Sequence, residues 1–136
     1  FWRKERACLQ RLSAGLEALG AGLVIDNASL HEQSAELLSL PSVCLAKIDR
    51  TLTRELAGSR AAQMRVAGIA QLARVGGVLT VAKQVDRPQE QELLRALGVD
   101  FIQGHATALP TPLAELDRQR EQLLIVDPAA REDQTA

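Results

Sequence analysis

The spacing of apolar residues along this chain changes period several times, and each change marks an element. From Trp2 to Leu19, apolar residues at Leu9, Leu12, Leu16 and Leu19 form a helical stripe. Gly20 stands where a left-handed cap would close that helix. Leu23-Val24-Ile25 is a short run ending at Asp26, the pattern of a buried parallel strand. Residues 32–40 predict a short helix stopped by Pro41. Val43 to Ile48 is the next apolar run, ending in Lys47-Ile48-Asp49-Arg50. One longer helical stretch follows, with Ala62, Val66, Ile69 and Ala73 on one face and Gly76-Gly77 closing it. Val78 to Ala82 is β-branched and apolar, the clearest strand in the sequence. Asp86-Arg87-Pro88 opens another helix, with Pro88 tolerated in the first turn, Leu93, Leu94 and Leu97 facing inward and Gly98 ending it. Val99 to Gln103 reads as a fourth strand. Thr111-Pro112 opens a last helix reaching Val126, and residues 128–136 read as a disordered tail.

A helix followed by four strand–helix units predicts an α/β architecture with a parallel sheet. Periodicity alone leaves open whether that sheet is doubly wound or part of a barrel. No glycine-rich phosphate loop opens any of the helices; the glycine pair follows a helix and reads as a cap.

Composition narrows the picture. Of 136 residues, 46% are apolar and only 2% aromatic, which suits helices packed on short aliphatic strands. The net charge of −1 is spread along the chain without a basic block, and bases would find few rings to stack on. Polymeric nucleic acid is therefore excluded as an expected partner. No apolar run is long enough to span a bilayer, so this segment is expected to make no membrane contact. Cys8 and Cys44 belong to no CxxC or Cys/His cluster and are expected to be two small buried hydrophobes in a reducing compartment. The chain begins Phe1-Trp2-Arg3 without Met and without a signal peptide. It is read as a piece of a longer cytoplasmic protein, whose parent could be membrane-anchored.

Each strand also ends in polar residues: Asp26-Asn27, then Lys47 with Asp49, then Lys83-Gln84 with Asp86 nearby, then Gln103. The carboxyl ends of parallel strands build the functional face of such folds. Polar residues can also simply mark where a strand meets solvent, but four in succession favour a shared site.

These strand ends resemble the EAL domain, the cyclic di-GMP phosphodiesterase family. That family carries, in order, a strand ending Asp-Asp-Phe-Gly-Thr-Gly, a Lys-Ile-Asp-Arg strand end, a Val-Ala-Glu-Gly-Val-Glu segment and a Gln-Gly before Arg-Pro. The counterparts here are Ile25-Asp26-Asn27-Ala28-Ser29, Lys47-Ile48-Asp49-Arg50, Val81-Ala82-Lys83-Gln84-Val85-Asp86 and Phe101-Ile102-Gln103-Gly104 with Leu109-Pro110. Each motif alone is weak, whereas four in order are specific. The likeness runs from about Leu9 to Leu116. It implies the second half of a (β/α)8 (TIM-type) barrel, about four parallel strands alternating with helices over residues 1–127. The Glu-Ala-Leu signature would lie upstream.

The family's hydrolysis uses divalent metals held by carboxylates. Here the second Asp of the paired motif is Asn27, and the Glu of Ala-Glu-Gly is Lys83. An ammonium about 4 Å from a divalent ion is repelled by roughly 8 kcal/mol at an effective dielectric of ~20. A lysine can swing away, but it cannot serve as a ligand while protonated. His31 is expected to face solvent rather than replace a ligand, and His105, at an aromatic position of the family, to fill space. No catalytic residue, metal or other cofactor is expected. By resemblance, Asp26, Lys47, Asp49, Lys83, Asp86, Gln103, Gly104 and Pro110 remain as ligand-binding candidates. The loss of the family's Arg to Leu109 removes one partner. The expected function is a catalytically inactive receptor or interaction module in bacterial cyclic di-GMP signalling. A protein–protein scaffold that binds no nucleotide is the alternative, and an active phosphodiesterase a more distant one. Cyclic di-GMP is the candidate ligand, and a protein partner or self-association is expected at unpaired strand edges.

Overall fold

Local signals decide where each element starts and stops. A computed structural model describes residues 2–105, 107 and 112. The helix expected from Thr111, the tail at 128–136, Leu109 and Pro110 lie outside the described residues, apart from Pro112. The elements are α1 (Trp2–Ala18), β1 (Leu23–Ala28), α2 (Ser34–Leu38), β2 (Val43–Ile48), α3 (Arg50–Glu55), α4 (Arg60–Val75), β3 (Leu79–Lys83), α5 (Pro88–Ala96) and β4 (Phe101–Gln103). Gly20, Gly77 and Gly98 close α1, α4 and α5 with φ of 68°, 71° and 84°, backbone that an L side chain resists.

The stretch after β2, expected as one helix, is two. Gly58-Ser59 interrupts it; Ser59 is extended, with φ −129°, and its side chain accepts a hydrogen bond from the Ala62 N–H at 3.2 Å. That cap starts α4 afresh. Ala62, Val66, Ile69 and Ala73 are buried on one face of α4, as the periodicity predicts.

The four strands are parallel and lie in chain order, β1-β2-β3-β4. A doubly wound sheet would reverse its order at a switch point. This one advances in a single direction, as one side of a (β/α)8 barrel does, and the choice left open by periodicity falls to the barrel. Ala46, Ile48, Thr80 and Ala82 are fully buried on the sheet face that meets the helices. The opposite face carries Leu45, Lys47, Val81, Lys83, Phe101 and Gln103 by alternation along strands in register. β3 is clamped to the start of β4 by the buried carboxylate of Asp100. It accepts from the Thr80 N–H and the Thr80 hydroxyl, both at 2.8 Å.

Two expectations are corrected. β1 is not buried on both faces: it is an edge of this sheet, Val24 is 48% exposed, and Leu23 and Ile25 are half-buried. Both cysteines are exposed rather than buried. Cys44 sits beside Gly22, which has no side chain to cover its sulfur; a Cβ there would lie 2.6 Å from Sγ. Cys8 lies on the open side of α1, which docks through buried Ser13, whose hydroxyl shares a 2.8 Å hydrogen bond with the Ser42 hydroxyl. Leu12 and Leu19 of the α1 stripe consequently stay 50% and 81% exposed.

Candidate functional site

The site is built where β1 loses register with β2. Ile25 pairs with Ala46 and Ala28 with Ile48, so Asp26 and Asn27 together stand against Lys47. Such a bulge re-aims side chains at a strand end. Asn27 adopts φ 53°, a left-handed conformation that Asn tolerates better than most residues, and its N–H donates to Asp26 Oδ1 at 2.8 Å. At the end of β3, Lys83 pairs in register with Gln103, and Gln84 then turns with φ 57°.

The Lys83 ammonium reaches over β2 to both residues of the bulge. It donates to Asp26 Oδ1 at 2.5 Å and to Asn27 Oδ1 at 2.8 Å. The lysine does not swing away; it bridges the two positions that correspond to the family's Asp pair. Its hydrogen bond, together with that from the Asn27 N–H, holds the Asp26 carboxyl below its ordinary range, with the nearby charges of Lys83 and Lys47 adding to the effect. Lys47 lies on the same sheet face, one residue pair below Lys83, and is half-buried.

Asp49 is engaged differently. It is the N-cap of α3 and accepts from the Thr51 N–H and the Thr51 hydroxyl, each at 2.8 Å. Those two bonds lower its pKa, with smaller contributions from the charges of Lys83 and Arg50. Asp86 stands apart from this group: its carboxylate accepts from the His105 N–H at 3.2 Å and lies 3.7 Å from His105 Nδ1. His105 is therefore not a space-filler, because its side chain is 69% exposed and the contact it makes is polar. His31 faces solvent, as expected. Gln103 has an exposed side chain, and its backbone carbonyl accepts from the Val85 N–H. At Gly104 a Cβ would fall 2.2 Å from the Val85 carbonyl oxygen, so the Gln-Gly step has a packing reason of its own. Pro110 lies outside the described residues.

The structure thus gathers Asp26, Lys47, Asp49 and Lys83 and leaves Asp86 with His105 as a second polar pair on the same rim. It adds two residues of the quoted motifs that were not among the ligand-binding candidates. Arg50 and Gln84, with Asn27 and Lys83, line an open polar cleft of about 330 Å3. The signal for both was position: each lies within a quoted motif, directly after the candidate Asp49 or Lys83.

A divalent metal does not fit this donor set. The two converging oxygens belong to one carboxylate and one amide, and an ammonium already bridges them. Among the described residues, no group of three or more His, Cys, Asp or Glu could hold a metal ion.

Parallel strands in chain order, each ending in polar groups on one rim, define one side of a TIM-type α/β barrel with its site at the carboxyl ends. The EAL domain family model matches residues 2–110, and the chain belongs to the EAL domain family. It is 31% identical over 100 residues to the cyclic di-GMP phosphodiesterase PdeF of Escherichia coli K12, covering 74% of this chain and 13% of that protein. It is 32% identical over 101 residues to the bifunctional diguanylate cyclase/cyclic di-GMP phosphodiesterase MucR of Pseudomonas aeruginosa, covering 74% of this chain and 15% of that protein. The fold superposes on a solved MucR phosphodiesterase in complex with c-di-GMP with a TM-score of 0.69 at 30% identity, over 79% of this chain and 43% of that one. The chain therefore spans less than half of the solved domain and about one-seventh of the curated relatives.

Proposed function

We propose that this chain forms part of a cyclic di-GMP receptor or interaction module that does not hydrolyse the nucleotide. One observation carries this reading: the Lys83 ammonium is bonded to Asp26 and Asn27, the counterparts of the family's paired carboxylates. A fixed monovalent cation there offers a phosphate an attractive charge, yet it has no coordination sites with which to acidify a water. Lys47 adds a second positive charge on the same sheet face. Ligand chemistry is supported by relatives of similar fold, since the MucR phosphodiesterase and the FimX EAL domain of Xanthomonas citri were each solved in complex with c-di-GMP.

Two measurements on the full-length protein test this. Calorimetric titration with cyclic di-GMP in excess chelator is expected to show saturable binding. A turnover assay in Mg2+ or Mn2+ is expected to show no linear product above background. Turnover in that assay would return the chain to the enzymes its relatives are named for. Absence of binding would leave the protein–protein scaffold.

A further inference from the structure

The outer face of α4, turned away from the sheet, carries an apolar seam that no element of the described residues covers. We propose that this face docks an acidic amphipathic helix of a partner protein, with apolar side chains on the seam from Met64 to Val75 and carboxylates on Arg60, Arg65 and Arg74. The face is separate from the strand-end site, and its docking requires no nucleotide.

The first support is exposure without a structural reason. Among the described residues, the exposed large hydrophobics are Leu12, Leu19, Val24, Leu30, Met64 and Val75. The first three belong to α1 and β1, at the edge of the sheet where a barrel's further strands would add. The other three are placed differently. α4 joins β2 to β3, and each of those strands already has a neighbour on both sides. Met64 and Val75 are nonetheless 68% and 79% exposed. Leu30 lies against the same helix, since a Cβ at Gly68 would fall 3.1 Å from Leu30 Cδ2.

The second support is spacing. Met64, Gly68, Gln71 and Val75 follow one another at intervals of four, three and four residues, the a and d spacing of a helix–helix seam. Leu30 fills the place that Gly68 leaves open. The buried stripe of Ala62, Val66, Ile69 and Ala73 occupies the opposite side of α4 and is not part of this seam. Beside Met64, an open hollow of about 340 Å3 between α4 and α5 is lined by Arg60, Gln63, Met64, Ala67 and Leu97. Helices pack by seating side chains of one in such hollows of the other.

The third support is charge, which identifies the partner. In this register Arg60, Arg65 and Arg74 fall at the e and g positions that flank the seam. From Arg60 to Val75 the helix has no acidic residue. All three arginines are exposed, and among the described residues none makes an ion pair. On the neighbouring helices, Glu36 pairs with Arg6 and Glu90 with Arg87, while Glu55 and Glu92 form no ion pair with α4. Arg60 stands in the first turn, where the helix dipole disfavours a cation, so helix stability does not account for it. Complementarity calls for carboxylates opposite. A second copy meeting this face through its own α4 would set arginine against arginine. An anionic bilayer would also attract the charges, but α4 has no aromatic ring to anchor in one.

The test uses the full-length protein without nucleotide and a fluorescent peptide of about three heptads, with Leu at a and d and Glu at e and g. A second peptide carries Lys at e and g instead; like charges discourage either from pairing with itself. Anisotropy is expected to show saturable binding of the acidic peptide, weakened about tenfold or more by Met64→Asp. Arg60→Glu combined with Arg65→Glu is expected to reverse the preference, so that the lysine peptide binds and the acidic one does not. Arg11→Glu on α1 is the charge control and is expected to leave the affinity unchanged. Each substituted side chain is exposed, so no change opens a core. Equal binding of the two peptides to wild type, or an equal loss in Arg11→Glu, would overturn the proposal. Failure of the acidic peptide to bind would also overturn it. Binding to phosphatidylglycerol vesicles that Met64→Asp abolishes would then assign the face to a membrane. Since no arm contains cyclic di-GMP, failure of the receptor reading leaves these outcomes unchanged.

Discussion

Lys83, the last residue of β3, and Asp26, in β1, are joined by an ion pair of 2.5 Å that passes over β2. It links two strands that are not hydrogen-bonded neighbours and closes the rim of the sheet with an internal cation. The lysine side chain is 19% exposed and the aspartate 61%, so solvent screens the pair and its contribution to stability is small. Its consequence is chemical: an ammonium sits between oxygens that, in the family's pattern, would belong to two carboxylates.

Lys83→Glu reverses that charge. Metal-free binding of cyclic di-GMP is expected to fall markedly, because the new carboxylate repels the phosphates. Hydrolysis is not expected to return, because Asn27 still offers an amide where the family has a carboxylate. Calorimetry in chelator and a turnover assay in Mn2+ check the two halves separately, and equal affinity in variant and wild type would remove Lys83 from the ligand site.

Divalent metal should leave the wild-type protein almost indifferent. A ligand stabilises the folded state only as far as it occupies it, so millimolar Mg2+ is expected to leave the melting temperature nearly unchanged. A large, saturable rise that vanishes in Asp26→Asn would show that a metal displaces the ammonium.

Acid should undo the Asp26 contact in a defined direction. Its carboxyl is held below the ordinary value of 3.8 by Lys83 and the Asn27 N–H. A depressed folded-state pKa gives stability that is fully present above the unfolded value and lost as pH falls through the folded one. The difference in melting temperature between wild type and Asp26→Asn should therefore be constant near neutrality and close progressively below about pH 4. A gap that widens on acidification would contradict the assignment.

Much of this arrangement is legible in the sequence because it is local. The apolar run at 43–48 is β2 residue for residue, and the stripe of Ala62, Val66, Ile69 and Ala73 is the buried face of α4. Gly58-Ser59 is a readable break, a glycine followed by a capping residue, and the periodic face at 62–73 lies wholly after it. What could not be read depends on tertiary placement. The exposure of Cys44 follows from Gly22 across the β1 edge, and the 26–27 bulge is a slip in pairing rather than a property of either strand. The resemblance pointed to Lys83 as a changed ligand position, but its partners lie 57 and 56 residues away. Arg50 and Gln84 became candidates only once the cleft placed them beside Lys83.

The sheet's outer strands carry a separate consequence. β1 pairs with β2 alone and β4 with β3 alone among the described residues, so each offers an unpaired row of backbone groups. Val24, 48% exposed on β1, adds apolar surface at one edge. The segment 1–136 expressed by itself is expected to self-associate or to require a partner, as light scattering after size exclusion would show. Val24→Lys should lower the associated fraction, since charge on an edge strand discourages pairing. A stable monomer at all concentrations would mean that these edges are covered within the chain.

The Gln-Gly step separates ligand contact from packing. Gln103 has an exposed side chain on the same sheet face as Lys83, so Gln103→Ala should leave stability within about 0.5 kcal/mol. If that amide meets the nucleotide, the same change weakens cyclic di-GMP binding. Gly104 is the reverse case. A methyl group there would lie 2.2 Å from the Val85 carbonyl oxygen and 2.4 Å from the Val85 nitrogen, both backbone atoms that cannot turn aside as a flexible side chain would. The Val85 N–H bonds to the Gln103 carbonyl at 3.1 Å, so relief of the clash disturbs the hydrogen bond that carries the chain past the end of β3. Gly104→Ala is therefore expected to cost about 1–3 kcal/mol, read as a lowered denaturant midpoint with an unchanged slope. The loss should be the same with and without cyclic di-GMP at matched occupancy. A variant as stable as wild type but unable to bind would make Gly104 a ligand contact and not a packing residue.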